Sequence, residues 1–354
     1  MLITDVQIIP VELKLRTPHH TAYRASTDRV QLVFVRVETR RQADHAWGCA
    51  AFDPALTGET LESVTQACQA CAERARDLNP LNTEYALAEI ASLTEGLPSA
   101  RCAFDMIFHD LLGLAAGLPL YRLLGGYRNR IQTSVTVSLA GVQETVEEAS
   151  ARASLGFRML KIKGGLDPEE DVRRVQAVHN ALPGLTLRLD ADQGYSVRQA
   201  LDVARALEGE LEMLEQPTPA GDLDAMSEVA RHSPVPILAS QSLREPPSAL
   251  EIASRRAAHG LNVKLSTCGG LSCARQVDAI ARAARLSVMV GCLHEPALLI
   301  AAGLGLALSS PNVRYADLDG HFDLLNDPTR PGFRFEDGWL IAGEEPGLGC
   351  AVDL

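Results

Sequence analysis

Short β-branched or leucine-rich runs recur along the second two-thirds of the chain. They come about every 25 residues, the length of a strand followed by a helix. The runs are IQTSVTVSL from Ile131, RMLKIKG from Arg158, LTLRLDA from Leu185, LEMLEQP from Leu211, VPILAS from Val235, GLNVKLS from Gly260, LSVMVGC from Leu286 and VRYADLD from Val313. Between them lie segments with helical periodicity, such as VQETVEEASARASLG, PEEDVRRVQAVHNAL, VRQALDVARALEG and SCARQVDAIARAAR. Eight strands alternating with helices predict an α/β fold closed into a parallel barrel rather than an open sheet.

The first part of the chain has a different pattern. ITDVQIIPVELKL and DRVQLVFVRVET read as paired strands, followed by helices through SVTQACQACAERARDL and SARCAFDMIFHDLLGLAAG. This predicts an α+β capping domain over residues 1–125 and a barrel domain over 126–320, with the boundary near LLGGYRNR. The tail, 321–354, is rich in Gly and Pro, carries no further strand–helix unit, and is assigned to the cap.

Composition narrows the function classes. The 354 residues carry a net charge of −12, with 46% hydrophobic and 22% charged residues, ordinary values for a globular chain with a large core. The acidic balance argues against nucleic acid as a partner, which needs clustered Lys and Arg. No signal-peptide pattern opens the chain and no run approaches a membrane span, so no membrane partner and a cytoplasmic location are expected. Of the eight cysteines only Cys68 and Cys71 form a CxxC, in an alanine-rich helical context that favours an inert pair over a zinc or redox site.

Strand alternation places the candidate chemistry. In RMLKIKGG, Leu160 and Ile162 point outward onto helices, so Lys161 and Lys163 point inward, just before the glycines that end the strand. Barrel enzymes work at that C-terminal face. A lone KxK would be an ordinary surface pair. The other strands change that: Asp190 and Asp192 point inward after Leu189, Glu215 ends its strand before Pro217, Lys264 points inward between Val263 and Leu265, and Asp317 and Asp319 share one face. Charged residues at one end of consecutive barrel strands make a site, because burying each unpaired would be prohibitive.

The ordered motifs KIK at Lys161–Lys163, LDADQGY from Leu189, LEQP from Leu214 and NVKLSTCGG from Asn262 resemble the muconate-lactonizing subgroup of the enolase superfamily. The likeness extends to WGCAAFDPALTGET, LPLYRLLGG and the closing PGLG. It implies an enolase-type (β/α)7β barrel with an α+β capping domain. Within the subgroup the chain is most similar to dipeptide epimerases of the L-Ala-D/L-Glu type, whose last barrel strand carries an Asp-x-Asp for the substrate ammonium, here Asp317-Leu318-Asp319. TPHHTAYRAS resembles their cap loop and puts Arg24 where an arginine meets the substrate's side-chain carboxylate. The resemblance implies an isomerase on a small-molecule carboxylate, with Mg²⁺ stabilising the enediolate and Lys163 and Lys264 as the opposed acid–base pair. Lys161 and the cation are expected to lower the pKa of Lys163. A homo-oligomer is also implied.

Three motifs depart from the family pattern, at four positions. Asp-Ala-Asn-Gln is here Asp190-Ala191-Asp192-Gln193. Ala-Asp-Glu-Ser, whose Asp is the third metal ligand, is here Ala239-Ser240-Gln241-Ser242. Trp-Gly-Glu ends here in Cys49. Charge counting offers Asp192 as the replacement for the carboxylate missing at Ser240, giving Asp190, Glu215, Asp192 and Ser240 around the cation. The alternative is a site without metal. Other readings are cycloisomerase, dehydratase or N-acyl amino acid racemase chemistry, or a binding paralogue without turnover. Adjacent His19 and His20 should point to opposite faces and so not share a metal. Glu295 could line the pocket or begin the next helix, and His109 and Asp110 are expected to support cap–barrel packing.

Overall fold

The computed structural model describes residues 1–40 and 45–354. Eight parallel strands form one sheet in sequential order: Val135–Val137, Met159–Lys163, Thr186–Asp190, Leu211–Glu215, Ile237–Ala239, Gly260–Lys264, Ser287–Gly291 and Val313–Asp317. A bridge between Thr133 and Ala316, with Ser134 N–H donating to the Ala316 carbonyl at 3.1 Å, brings the first and last strands together. Seven of the eight strands lead into helices, and the eighth into a single 3₁₀ turn, Gly320–Asp323, so the (β/α)7β barrel is observed.

The alternation holds physically. Leu160, Ile162, Leu187, Leu189, Leu214, Ile237, Val263, Val288 and Val290 are buried in the core shared with the surrounding helices. Met213, Leu238 and Met289, on the other side of their strands, form a separate small cluster with Tyr315. The helices start where their caps dictate: Asp167 accepts the Glu169 and Glu170 amides, and Ser196 and Gln199 form a reciprocal capping box.

Two sequence expectations are revised. The run from Ile131 is two strands. Arg130–Gln132 pairs antiparallel with Trp339–Ala342, and the chain joins the barrel only after the polar Thr133-Ser134 step. The cap also has a third strand, His45–Ala51, beside the antiparallel pair Ile3–Thr21 and Arg24–Thr39. Its small residues carry little strand signal. Packing makes it a strand, since a Cβ on Gly48 would lie 2.0 Å from the Ala103 carbonyl oxygen of the helix Pro98–Ala116 behind it. The tail returns to the N-terminal segment, with Leu324–Leu325 pairing with Lys14 and Leu15. No helix among the described residues is long and apolar enough to cross a membrane.

Candidate active site

Lys161 and Lys163, from the second barrel strand, and Lys264, from the end of the sixth, line one cavity of about 720 Å³ including its open mouth. Cap residues Tyr23, Phe52 and Asp53 form its far wall, and Thr136, Cys292, His294 and Asp319 complete it at the barrel end. The glycines after Lys163 are required by close packing. A Cβ on Gly165 (φ +105°) would meet the Ala191 carbonyl oxygen at 2.0 Å, and one on Gly194 would meet the Gly165 carbonyl oxygen at 1.9 Å. Behind them the buried Arg174 donates to the Lys163 carbonyl at 2.7 Å and pairs with Asp171, which accepts the Gly165 amide.

Lys163 Nζ lies 2.8 Å from Asp190 Oδ2 and 2.9 and 3.1 Å from the two oxygens of Asp192. Burial disfavours its charge, but the two carboxylates outweigh burial and raise its pKa well above the ordinary lysine value. Lys161 and Lys163 repel each other, as expected, but the closer carboxylates outweigh that repulsion and leave Lys163 above the ordinary lysine value. Lys161 is also raised: burial opposes the charge, and Asp317, Glu215 and Asp190 overcome it. Burial pushes the Asp190 carboxyl up, yet the three lysines bring it down to about 2. Burial and the charge of Asp190 push Asp192 up to about 6 against the pull of Lys163.

Asp190 and Glu215 sit side by side in strand register, both buried. Glu215 accepts from Asn262 Nδ2 at 2.7 Å. Ser240 is buried at the end of the fifth barrel strand, its amide held by Gln216 Oε1 at 2.9 Å. Asp192, counted above with the cation ligands, accepts from Lys163 through both oxygens and from Gln241 Nε2 at 2.9 Å. Among the described residues no three His, Cys, Asp or Glu side chains are arranged to hold a metal ion. The donor chemistry nonetheless fits Mg²⁺, a hard cation that is held by one or two carboxylates with other oxygens completing its shell. Asp190 and Glu215 are buried beside Lys161 and bear on its charge, so carboxylates and ammonium groups share one ionic layer at the strand ends.

The Asp-x-Asp motif divides. Asp319 lines the cavity and accepts the Thr136 amide at 2.6 Å, whereas Asp317 is fully buried, pairs with Lys161 and accepts from Ser134 Oγ at 2.6 Å. Arg188 is a further buried residue of this layer, placed inward by the same alternation that places Asp190. It donates to Ser134 Oγ at 2.9 Å and to Glu212 at 2.7 Å, and so braces that pair. The side chain of Arg24 lies outside the described residues. His19 faces the cavity, with its ring 4.6 Å from that of His294, and burial together with His294 presses it down to about 2, leaving it neutral. Glu295 precedes the helix Ala297–Ser309 and is buried, and burial pushes it up to about 8. Cys68 and Cys71 are free and buried in the cap helix Leu61–Ala75, and burial raises both thiols.

A capped (β/α)7β barrel with lysines and carboxylates converging at the C-terminal ends of its strands defines the class: a barrel protein built for acid–base work on a carboxylate. Residues 3–125 match the mandelate racemase/muconate lactonizing enzyme N-terminal domain, and residues 144–354 match the enolase C-terminal domain-like family. The chain belongs to this family. It is 38% identical to an L-Lys-D/L-Arg epimerase of Methylococcus capsulatus, covering 99% of both chains. It superposes on the substrate-liganded L-Ala-D/L-Glu epimerase of Bacillus subtilis with TM-score 0.96 at 31% identity, covering 100% of both chains. Against the M. capsulatus dipeptide epimerase complexed with Mg and L-Arg-D-Lys, the TM-score is 0.93 at 36% identity, over 99% of this chain and 100% of that one.

Proposed function

We propose that this protein is a dipeptide epimerase, an isomerase that removes the α-proton of a small-molecule carboxylate and returns it to the opposite face. The observation that carries this reading is that Lys163 and Lys264 reach one cavity from separate barrel strands, with Asp319 on its wall. Two lysines on opposed faces of one carbon permit inversion, since one takes the proton while the other delivers a new one. Asp319 meets the free ammonium of an N-terminal amino acid, and charge-assisted hydrogen bonding gives that contact its strength. This favours a dipeptide over an N-acylated substrate. The named dipeptide epimerases among its relatives support the same class.

Asp190 and Glu215 would hold Mg²⁺, with Ser240 beside them. Bound there, Mg²⁺ would supply Lewis-acid stabilisation of charge on the substrate carboxylate. Lys161 adds a fixed positive charge next to that carboxylate. Residues 126–320 act as the catalytic barrel, while 1–125 with 321–354 form the cap whose Tyr23, Phe52 and Asp53 close the substrate in.

The test is α-proton exchange in deuterium oxide, followed by NMR, across a library of L,L-dipeptides and their N-acetyl forms with added Mg²⁺. Exchange with inversion for a subset of free dipeptides is expected. Exchange confined to N-acetylated substrates would remove the dipeptide assignment.

A further inference from the structure

Two of the positions that depart from the family pattern lie far apart in sequence and touch in space. The family places an amide where Asp192 stands and an acid where Gln241 stands. Here Gln241 Nε2 donates to Asp192 Oδ1 at 2.9 Å. Amide and acid have changed places across one hydrogen bond, and the carboxylate now stands on the side of that bond occupied by Lys163. Asp192 adopts φ +45°, a left-handed conformation uncommon for a non-glycine residue, which needs side-chain contacts to hold it. Those contacts are Lys163 and Gln241. The Gln241 loop is fixed in turn by Gln216 Oε1, which accepts the Ser240 and Ser242 amides at 2.9 and 3.1 Å.

We propose that Asp192 and Gln241 act as one charge-transposed unit in which Gln241, through Asp192, positions the ammonium group of Lys163, and that Asp192 serves the lysine rather than the cation. This rests on the epimerase reading. Asp190 alone gives Lys163 a single-point contact, and the second carboxylate fixes its direction toward the substrate face, where small misplacement of a reacting group is costly.

The variants Asp192→Asn, Gln241→Glu and the double exchange test it, with Lys163→Ala as the reference for which epimer's proton belongs to that lysine. Each single variant is expected to slow α-deuterium exchange on the Lys163 side about 10²-fold and leave the Lys264 side within about threefold. Their combined effect should fall short of the product of the two. Gln241→Glu sets two carboxylates against each other and should lower the melting temperature, and the double exchange should recover most of that loss. Binding of Mn²⁺, read by calorimetry, should stay within about threefold for Asp192→Asn, whereas loss of a metal ligand or its support costs about 10–100-fold. Slowing of both faces alike, additive single effects, or Mn²⁺ affinity lost by that larger factor would each overturn the proposal. The thermal cycle needs no substrate, so a wild-type protein inert to every dipeptide but still showing that coupling would sink the epimerase reading and leave the pair.

Discussion

Lys161 and Asp317 form a buried ion pair beneath the cavity, braced by Ser134 and Arg188, while Asp319, two residues on, is the member of the motif that faces the substrate space. The pair uses up a carboxylate that spacing alone would assign to the substrate.

Asp317→Asn and Asp319→Asn should therefore fail differently. Asp317→Asn removes the nearest partner of buried Lys161 and leaves Glu215 and Asp190 to offset its charge, so a stability loss of about 1.5–3 kcal/mol is expected in denaturant unfolding. Asp319→Asn should raise KM for free dipeptides by about tenfold or more, consistent with a lost charge-assisted contact of about 1.5–3 kcal/mol. Equal KM effects with unchanged stability would show that both residues face substrate.

Lys163→Ala and Lys264→Ala should each abolish epimerisation while leaving exchange from one epimer detectable, and the surviving epimer should differ between them. Loss of about 10²–10⁴-fold is the range for removing a positioned acid–base group. NMR of the α-proton for each pure epimer separates the two faces. Loss of both exchanges in both variants would argue against an opposed pair.

Asp110 links the cap helix to the tail, its Oδ1 accepting the Leu348 amide at 2.7 Å. Burial pushes this carboxyl up to about 7 from the ordinary 3.8, against the backbone amides of Leu348 and Trp47. The folded protein thus keeps a proton that the unfolded chain releases near pH 4. The stability contributed is fully present below that pH and is lost as pH rises through about 7. Asp110→Asn fixes the neutral form. Its melting temperature relative to wild type should climb steadily between pH 4 and 7, and a flat difference over that interval would contradict the raised carboxyl.

Gly194→Ala forces a Cβ to within 1.9 Å of the Gly165 carbonyl oxygen, between the loops carrying Lys163 and Asp192. Strain of about 1–3 kcal/mol and a fall in kcat of about 10²-fold are expected as the loops separate. At Gly184 (φ +96°) a Cβ would meet nothing within 4 Å. Gly184→Ala should therefore cost only backbone strain of about 1–2 kcal/mol, with kcat retained. Matching kcat losses in the two variants would dissociate the loop contact from activity.

Much of this site was legible because strand alternation is a local property. Once LKIKG is a barrel strand with Leu160 and Ile162 packed outward, Lys161 and Lys163 must point in, and the same rule places Asp190, Glu215 and Lys264. The eight-strand rhythm likewise needs no knowledge of distant contacts. Closure of the barrel decided the rest. Only there do Asp317 and Lys161, separated by 156 residues, and Asp192 and Gln241, separated by 49, become partners. The His45–Ala51 strand escaped detection because its small residues are held by a helix behind it and carry no pattern of their own. Periodicity determined which side chains point inward; the three-dimensional neighbours determined which carboxylate each lysine takes, because Coulomb energy depends on separation in space, to which position along the chain is blind.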